Sequence, residues 1–333
     1  MKTNKIINAK FHEPKLSVQA TLLTEQLKTR FLTYSNQCYL LLDPFLRDFI
    51  DDDVINERIN SNQVTYIPIP HPSIDKTKVP FILPLNLNQQ EDCNLLFHSV
   101  YESLFESHPE RIDMGDGRRF CGWLAANSNT QLPDLARYIG QVAIQRLSED
   151  RTILLRFYDP AVLSQLWPIL SEVQKRILFG LAEQWTVMSG EAELHTFPAI
   201  EAKLFGAHTL GLSDEQYSQI RWIGAINCGL CTYRRSDNAP WISELQAHNL
   251  LMPIFGRLQN YTFHYYDELE RLSVRALTIH PCFDLHPLLT SRVIGESSTI
   301  SYSDFVKDIS EQQWIKIQKD CIANYGSLSE LLS

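Results

Sequence analysis

Long hydrophobic runs are missing from this 333-residue chain. Nowhere do about 18 apolar residues follow one another, the length a helix needs to cross a bilayer, so no membrane insertion is expected. Excess positive charge is missing too. With 30 Lys+Arg against 39 Asp+Glu the net charge is −9, which argues against nucleic acid or an anionic membrane as the main partner. The amino terminus, MKTNKIINAKFHEPKLS, has no apolar core and no small-residue cleavage site, so no secretory signal is expected. The cysteines (Cys38, Cys93, Cys121, Cys228, Cys231, Cys282 and Cys321) are odd in number and scattered, unlike a disulfide framework. Reduced thiols and a cytoplasmic location are the expectation. Metal-protease, nucleophile-elbow, dinucleotide and phosphate-loop signatures are all lacking. No acid, base or nucleophile constellation stands out, and no catalytic, cofactor-binding or metal-ligating residue is expected.

What is present is ordinary globular composition, 44% hydrophobic and 21% charged, in a chain long enough to bury about three quarters of its unfolded surface. Leu16, Ala20, Leu23, Leu27 and Phe31 recur every three or four residues and predict a helix. Cys38–Leu42 is a short apolar run ending at Asp43-Pro44, as a strand covered on both faces would be. Val64–Ile69 and Pro80–Leu85 look extended, and their prolines suggest edge positions. Cys93, Leu96, Phe97, Val100 and Leu104 mark a second helix. A polar loop from His108 to Arg119 precedes an apolar run, Phe120–Ala126. A third helix is expected from about Pro133 to Leu147, then a strand, Ile153–Tyr158. Strands separated by helical patterns suggest βαβ units. The expected fold is therefore an α/β lobe over residues 1–195, with a mixed, partly parallel sheet flanked by helices.

An all-helical lobe should follow over residues 196–333. Ser213 and Gln216 have capping-box spacing, as do Ser310 and Gln313, with Trp314, Ile317 and Cys321 lining the face behind the second box. Gly326 is a stop signal. Leu258, Tyr261, Tyr265, Leu269 and Leu272 read as another helical stripe. Phe263 and Tyr266 fall outside that stripe and are candidate partner-binding residues, because interface hot spots favour large aromatics. Burial of that helix on more than one side is the equally simple alternative.

Two Asp-Pro dipeptides follow predicted strands. Asp43 and Asp159 could form a carboxylate pair at a sheet edge, which would make the chain a small-molecule enzyme. Helix capping explains them better: aspartate is a favoured N-cap and proline a favoured first helical residue. Cys228-Gly-Leu-Cys231 lies well inside the helix that opens at Ser213, so it lacks the helix-amino-terminal setting of a redox pair. Zinc would need further ligands, of which His280, Cys282 and His286 are the nearest in type. Buried structural thiols are the simpler reading. Met114-Gly-Asp-Gly-Arg-Arg119 reads as a solvated turn.

The order of these motifs carries a resemblance: Tyr39-Leu-Leu-Leu-Asp43, the Tyr66/Pro68 and Pro80-Phe-Ile-Leu83 segments, Gly122-Trp-Leu-Ala125, a helix, then Leu155-Arg-Phe-Tyr-Asp-Pro160. Over about residues 15–190 this resembles the effector adaptor, or chaperone, domain of bacterial type VI secretion systems. The resemblance implies a non-enzymatic cytoplasmic adaptor. Its partners would be one toxic effector and the spike protein VgrG or its PAAR tip. It marks Asp43, Arg156, Tyr158, Asp159 and Pro160 as family-motif residues, either structural or on the rim of a groove, with Asp159 expected to cap a helix.

Overall fold

The computed structural model describes residues 14–34, 37–72, 74–75, 78–107, 117–127, 129–148, 151–198, 207–236, 240–259, 266–294 and 301–332. The chain forms two compact units, residues 1–212 and 213–333; the sequence expectation placed the change of character at 195/196. No helix among the described residues is long and apolar enough to cross a membrane.

The first unit is built on a six-stranded sheet of order β2-β3-β1-β4-β7-β8. Its strands are β1 (Gln37–Leu42), β2 (Thr65–Tyr66), β3 (Phe81–Asn86), β4 (Phe120–Ala126), β7 (Ala182–Met188) and β8 (Leu194–Pro198). Every pairing in it is antiparallel, which corrects the expectation of a partly parallel sheet. The run Cys38–Leu42 is buried on both faces, as the sequence suggests, but the cause is different. β1 is central, and helices cover both sides of an antiparallel sheet. On one face α1 (Pro14–Phe31) and α3 (Gln90–Glu106) bury Ala20, Leu27, Phe31, Leu96 and Val100 against Leu40, Leu83 and Trp123. On the other, Trp185 of β7 makes edge contacts with Phe157 and Phe179, and Trp167 meets Phe179 edge-on and Phe197 at a tilt.

β3 is interior, lying between β2 and β1, so its Pro84 does not mark an edge strand. β2 reaches only Phe81 and Ile82, and Pro84 sits beyond that contact, where a missing donor on that side breaks no ladder. β4 carries a bulge opposite Leu41 and Leu42. Gly122 sits there at φ +127°, and a Cβ at this position would come within 2.4 Å of the Thr186 carbonyl. Only glycine lets β4 and β7 approach so closely.

Two further boundaries differ from the sequence expectation. The third helix, α4 (Leu132–Val142), stops before Leu147, because Ile144–Ser148 forms β5. β5 pairs with β6 (Arg151–Leu154) in a separate hairpin, so Leu155–Tyr158 is not strand. The backbone after Asp43-Pro44 makes bends and a turn, and helix α2 begins only at Asp53 and runs to Asn60.

Among the described residues the regular elements of the second unit are all helices: α7 (Asp214–Arg234), α8 (Glu244–Leu258), α9 (Tyr266–Thr278), α10 (Pro287–Ile294), α11 (Tyr302–Phe305), α12 (Glu311–Tyr325) and α13 (Leu328–Leu331). Capping boxes open α7 at Ser213 and α12 at Ser310, as their spacing predicts, and two more open α8 at Ser243 and α13 at Ser327. Gly326 ends α12 at φ +89°. The described ends of the stripe expected from Leu258 to Leu272 fall on two different helices. Leu258 closes α8 and Leu269 and Leu272 belong to α9, while Tyr261, Phe263 and Tyr265 lie outside the described residues. Ile226 and Leu230 of α7, Leu251 and Phe255 of α8, Leu272 of α9 and Trp314 and Ile317 of α12 share one core.

Candidate functional site

The motif residues far apart in sequence meet at the carboxyl end of β1. Asp43 leaves the strand with its amide hydrogen-bonded to the Arg119 carbonyl at 2.8 Å. Arg156 reaches it from the segment between β6 and α5 (Pro160–Leu166), with Nη2 donating to the Asp43 carboxylate at 2.8 Å. The same Nη2 lies 3.6 Å from the Asp159 carboxylate. Asp43 is not the helix cap that the sequence suggests. Its other oxygen accepts the Phe45 amide at 2.9 Å in a local turn, and its real partner is 113 residues away. Asp159 does cap a helix: it accepts the Ala161 amide at 3.0 Å, and Pro160 follows at the first helical position. The Arg156 guanidinium also lies 4.9 Å from the Phe45 ring centroid.

Electrostatics follow from burial. The Asp43 side chain is 1% exposed, and desolvation raises its pKa even though Arg156 and the Phe45 amide pull it down. Burial alone would lower the pKa of Arg156, but the Asp159 and Asp43 carboxylates outweigh it and hold the guanidinium charged. Tyr158 is buried, and desolvation with the Asp43 charge raises its phenol. Desolvation likewise raises the Cys121 thiol, with Asp43 adding to it. The arrangement ties the end of the central strand to the start of α5. Both carboxylates already face a guanidinium and a backbone amide, and the thiol and phenol beside them are held protonated.

A second polar cluster lies on α3, where His98, Glu102 and Glu106 share a face at four-residue spacing. His98 Nε2 sits 3.0 Å from both oxygens of Asp52, and Asp52 also caps α2 through the Ile55 amide. Arg119 is buried, contrary to the solvated turn expected of it. Its Nε donates to Glu106 at 2.7 Å and its Nη1 to Asp51 at 2.7 Å. Burial would lower the His98 pKa, but the Asp52 hydrogen bond and charge overcome it and raise it. Desolvation raises Glu102 despite the nearby His98 charge. The His98–Glu102–Glu106 spacing was a readable signal; the partners Asp52 and Arg119 were not, because nothing local links them to α3.

In the second unit, Cys228 and Cys231 lie on α7, with Gly229 between them. A Cβ on Gly229 would come within 2.2 Å of the Ser273 Cβ, so this glycine permits the close crossing of α7 and α9. The Cys228 sulfur lies 3.4 Å from the Tyr266 hydroxyl. Tyr266 is half exposed and rests on α7; Phe263 lies outside the described residues. His280 and His286 are spoken for elsewhere, by the Gly326 carbonyl and by Asp320. Among the described residues, no three His, Cys, Asp or Glu side chains gather as a metal site would require.

The first unit is thus a helix-covered antiparallel sheet whose distinctive feature is the Asp43–Arg156–Asp159 cluster. Residues 38–176 match a family described as a domain of unknown function, DUF4123. The match runs from β1 into α6 (Glu172–Phe179) and contains every residue of that cluster. No curated protein and no solved structure matches the chain.

Proposed function

We propose that this chain is a non-enzymatic adaptor that binds one effector protein of a type VI secretion system in the cytoplasm and helps load it onto the VgrG/PAAR spike. The observation that carries the reading is the convergence of Asp43, Arg156 and Asp159. The motif on which the adaptor resemblance rests forms one partly buried ion-pair cluster, with Asp43 at its buried end, within the matched residues. The alternative, an enzyme using Asp43 and Asp159, needs a carboxylate available to a substrate. Here one is almost wholly buried against Arg156 and the other is engaged as a helix cap, which supports a structural role for both. An adaptor that covers apolar effector helices and later releases them needs an interface with a partly polar rim, of roughly 1,200–2,000 Å² in total.

Capture of the tagged full chain from its native host, under secretion-active conditions, tests this reading. A secreted toxin or spike component should travel with it, and the association should survive Asp159→Ala. Turnover of a small molecule by the pure chain, abolished by Asp43→Asn, would replace the adaptor with an enzyme.

A further inference from the structure

Between β1 and α2 the chain displays apolar side chains on a backbone fixed from beneath. Phe49 points inward, edge-on to Phe81 and Phe120 with ring centroids 5.7 Å away. Arg119 lies under the segment: its guanidinium is 4.8 Å from the Phe49 centroid, and Nη1 donates to the Asp48 carbonyl at 2.8 Å. The Asp52 amide closes a turn onto the Phe49 carbonyl at 2.9 Å. Asn56 donates to the same carbonyl at 2.6 Å. His98 fixes the Asp52 carboxylate. Ile50 stands at the tip of this turn and is 77% exposed, more than any other large hydrophobic residue described. Leu46 and Val54, four residues to either side, are 51% and 42% exposed.

Among the described residues of this segment the exposed charged side chains are carboxylates, Asp48, Asp53 and Glu57 among them. Its two arginines are each drawn into an ion pair, Arg47 with Glu106 and Arg58 with Asp92. An apolar tip with an acidic border fits a partner presenting apolar side chains bordered by lysine or arginine. A rigid turn loses little conformational freedom when it docks, which favours affinity. We infer that the turn carrying Leu46, Ile50 and Val54 is a docking surface for a basic amphipathic helix of another protein. A second copy of this chain is the poorer occupant, because copies with a net charge of −9 repel one another. The inference rests on the binding-module reading above and names the partner chemistry for it.

The probe is a labelled Leu/Lys peptide of about four helical turns, with its leucines on one face. Two controls accompany it: the same composition scrambled to destroy that face, and a Leu/Glu counterpart. By fluorescence anisotropy the Leu/Lys helix should bind the full chain, at least tenfold more tightly than either control. Ile50→Asp should weaken it at least tenfold. Asp53→Asn with Glu57→Gln should weaken it several-fold and flatten its salt dependence. The altered side chains are exposed, so melting should be unchanged in each variant. Failure to bind, or equal binding by the scrambled peptide or by the Ile50→Asp variant, would overturn the proposal. So would a dimer in sedimentation that Ile50→Asp dissociates, since the turn would then face a second copy. An effector captured from the host and retained undiminished by Ile50→Asp would remove this surface and leave the adaptor reading standing. Peptide binding that meets these criteria with no effector captured would do the reverse.

Discussion

Replacing Arg156 with methionine strips the guanidinium from Asp43 while keeping most of the side-chain volume. The Asp43 carboxylate, 1% exposed, would then keep only the Phe45 amide as a hydrogen-bond partner among the contacts described above. Breaking a buried pair in this way costs about 3–5 kcal/mol. The Arg156 side chain is itself 20% exposed, which puts the expectation near the lower end, about 3 kcal/mol. For a unit of this size that corresponds to a fall in melting temperature of about 6–12 °C. The pH dependence has a definite sign. Burial already raises the Asp43 pKa and Arg156 opposes the rise, so losing Arg156 raises it further. A carboxyl whose folded pKa lies above its unfolded value favours the folded state when protonated, and that stability is lost as pH rises. The deficit of Arg156→Met should therefore shrink between pH 8 and pH 5. Asp43→Asn combined with Arg156→Met should recover about 1–2 kcal/mol, since the two residues are in contact. Urea unfolding of the first unit, followed through amide exchange of β1 and β4 peptides, reads these differences. A variant within about 0.5 kcal/mol of the parent, or a deficit independent of pH, would refute the claim that Arg156 neutralises a buried Asp43.

Asp159→Ala should cost about 1 kcal/mol through the lost cap on α5 and leave partner binding intact, as read by melting and capture side by side. Gly122→Ala should destabilise by about 2 kcal/mol or more, because it adds backbone strain to a clash between β4 and β7; chemical denaturation checks this. His98 has a raised folded pKa, so its pairing with Asp52 contributes fully below the unfolded value of about 6.5 and fades as pH rises through the folded one. His98→Gln should remove that slope from a stability profile measured between pH 5 and 9.

The legible parts of the fold were those whose signal is local. The three- and four-residue spacing of Leu16 to Phe31 placed α1, the capping-box spacings at Ser213 and Ser310 placed α7 and α12, and Gly326 ended α12. Strand direction was not local. Cys38–Leu42 reads like a parallel strand because both its faces are buried, yet its neighbours, residues Phe81–Asn86 and Phe120–Ala126, both run the other way. Two Asp-Pro dipeptides look alike in sequence. One caps a helix and the other turns into a bend beneath a distant arginine. Asp43, Arg156 and Asp159 each drew notice in the sequence, whereas their meeting depends on how the segment after β6 folds back to the end of β1. The acidic turn around Ile50 was hidden for the same reason, since its rigidity comes from Arg119 and His98 on other elements.

Export is the most direct measure of the adaptor claim. Deleting the gene for this chain in its host should abolish type VI secretion of the one captured effector while other effectors still leave the cell, and the intact chain should restore it. Unimpaired export of that effector without the chain would contradict the account.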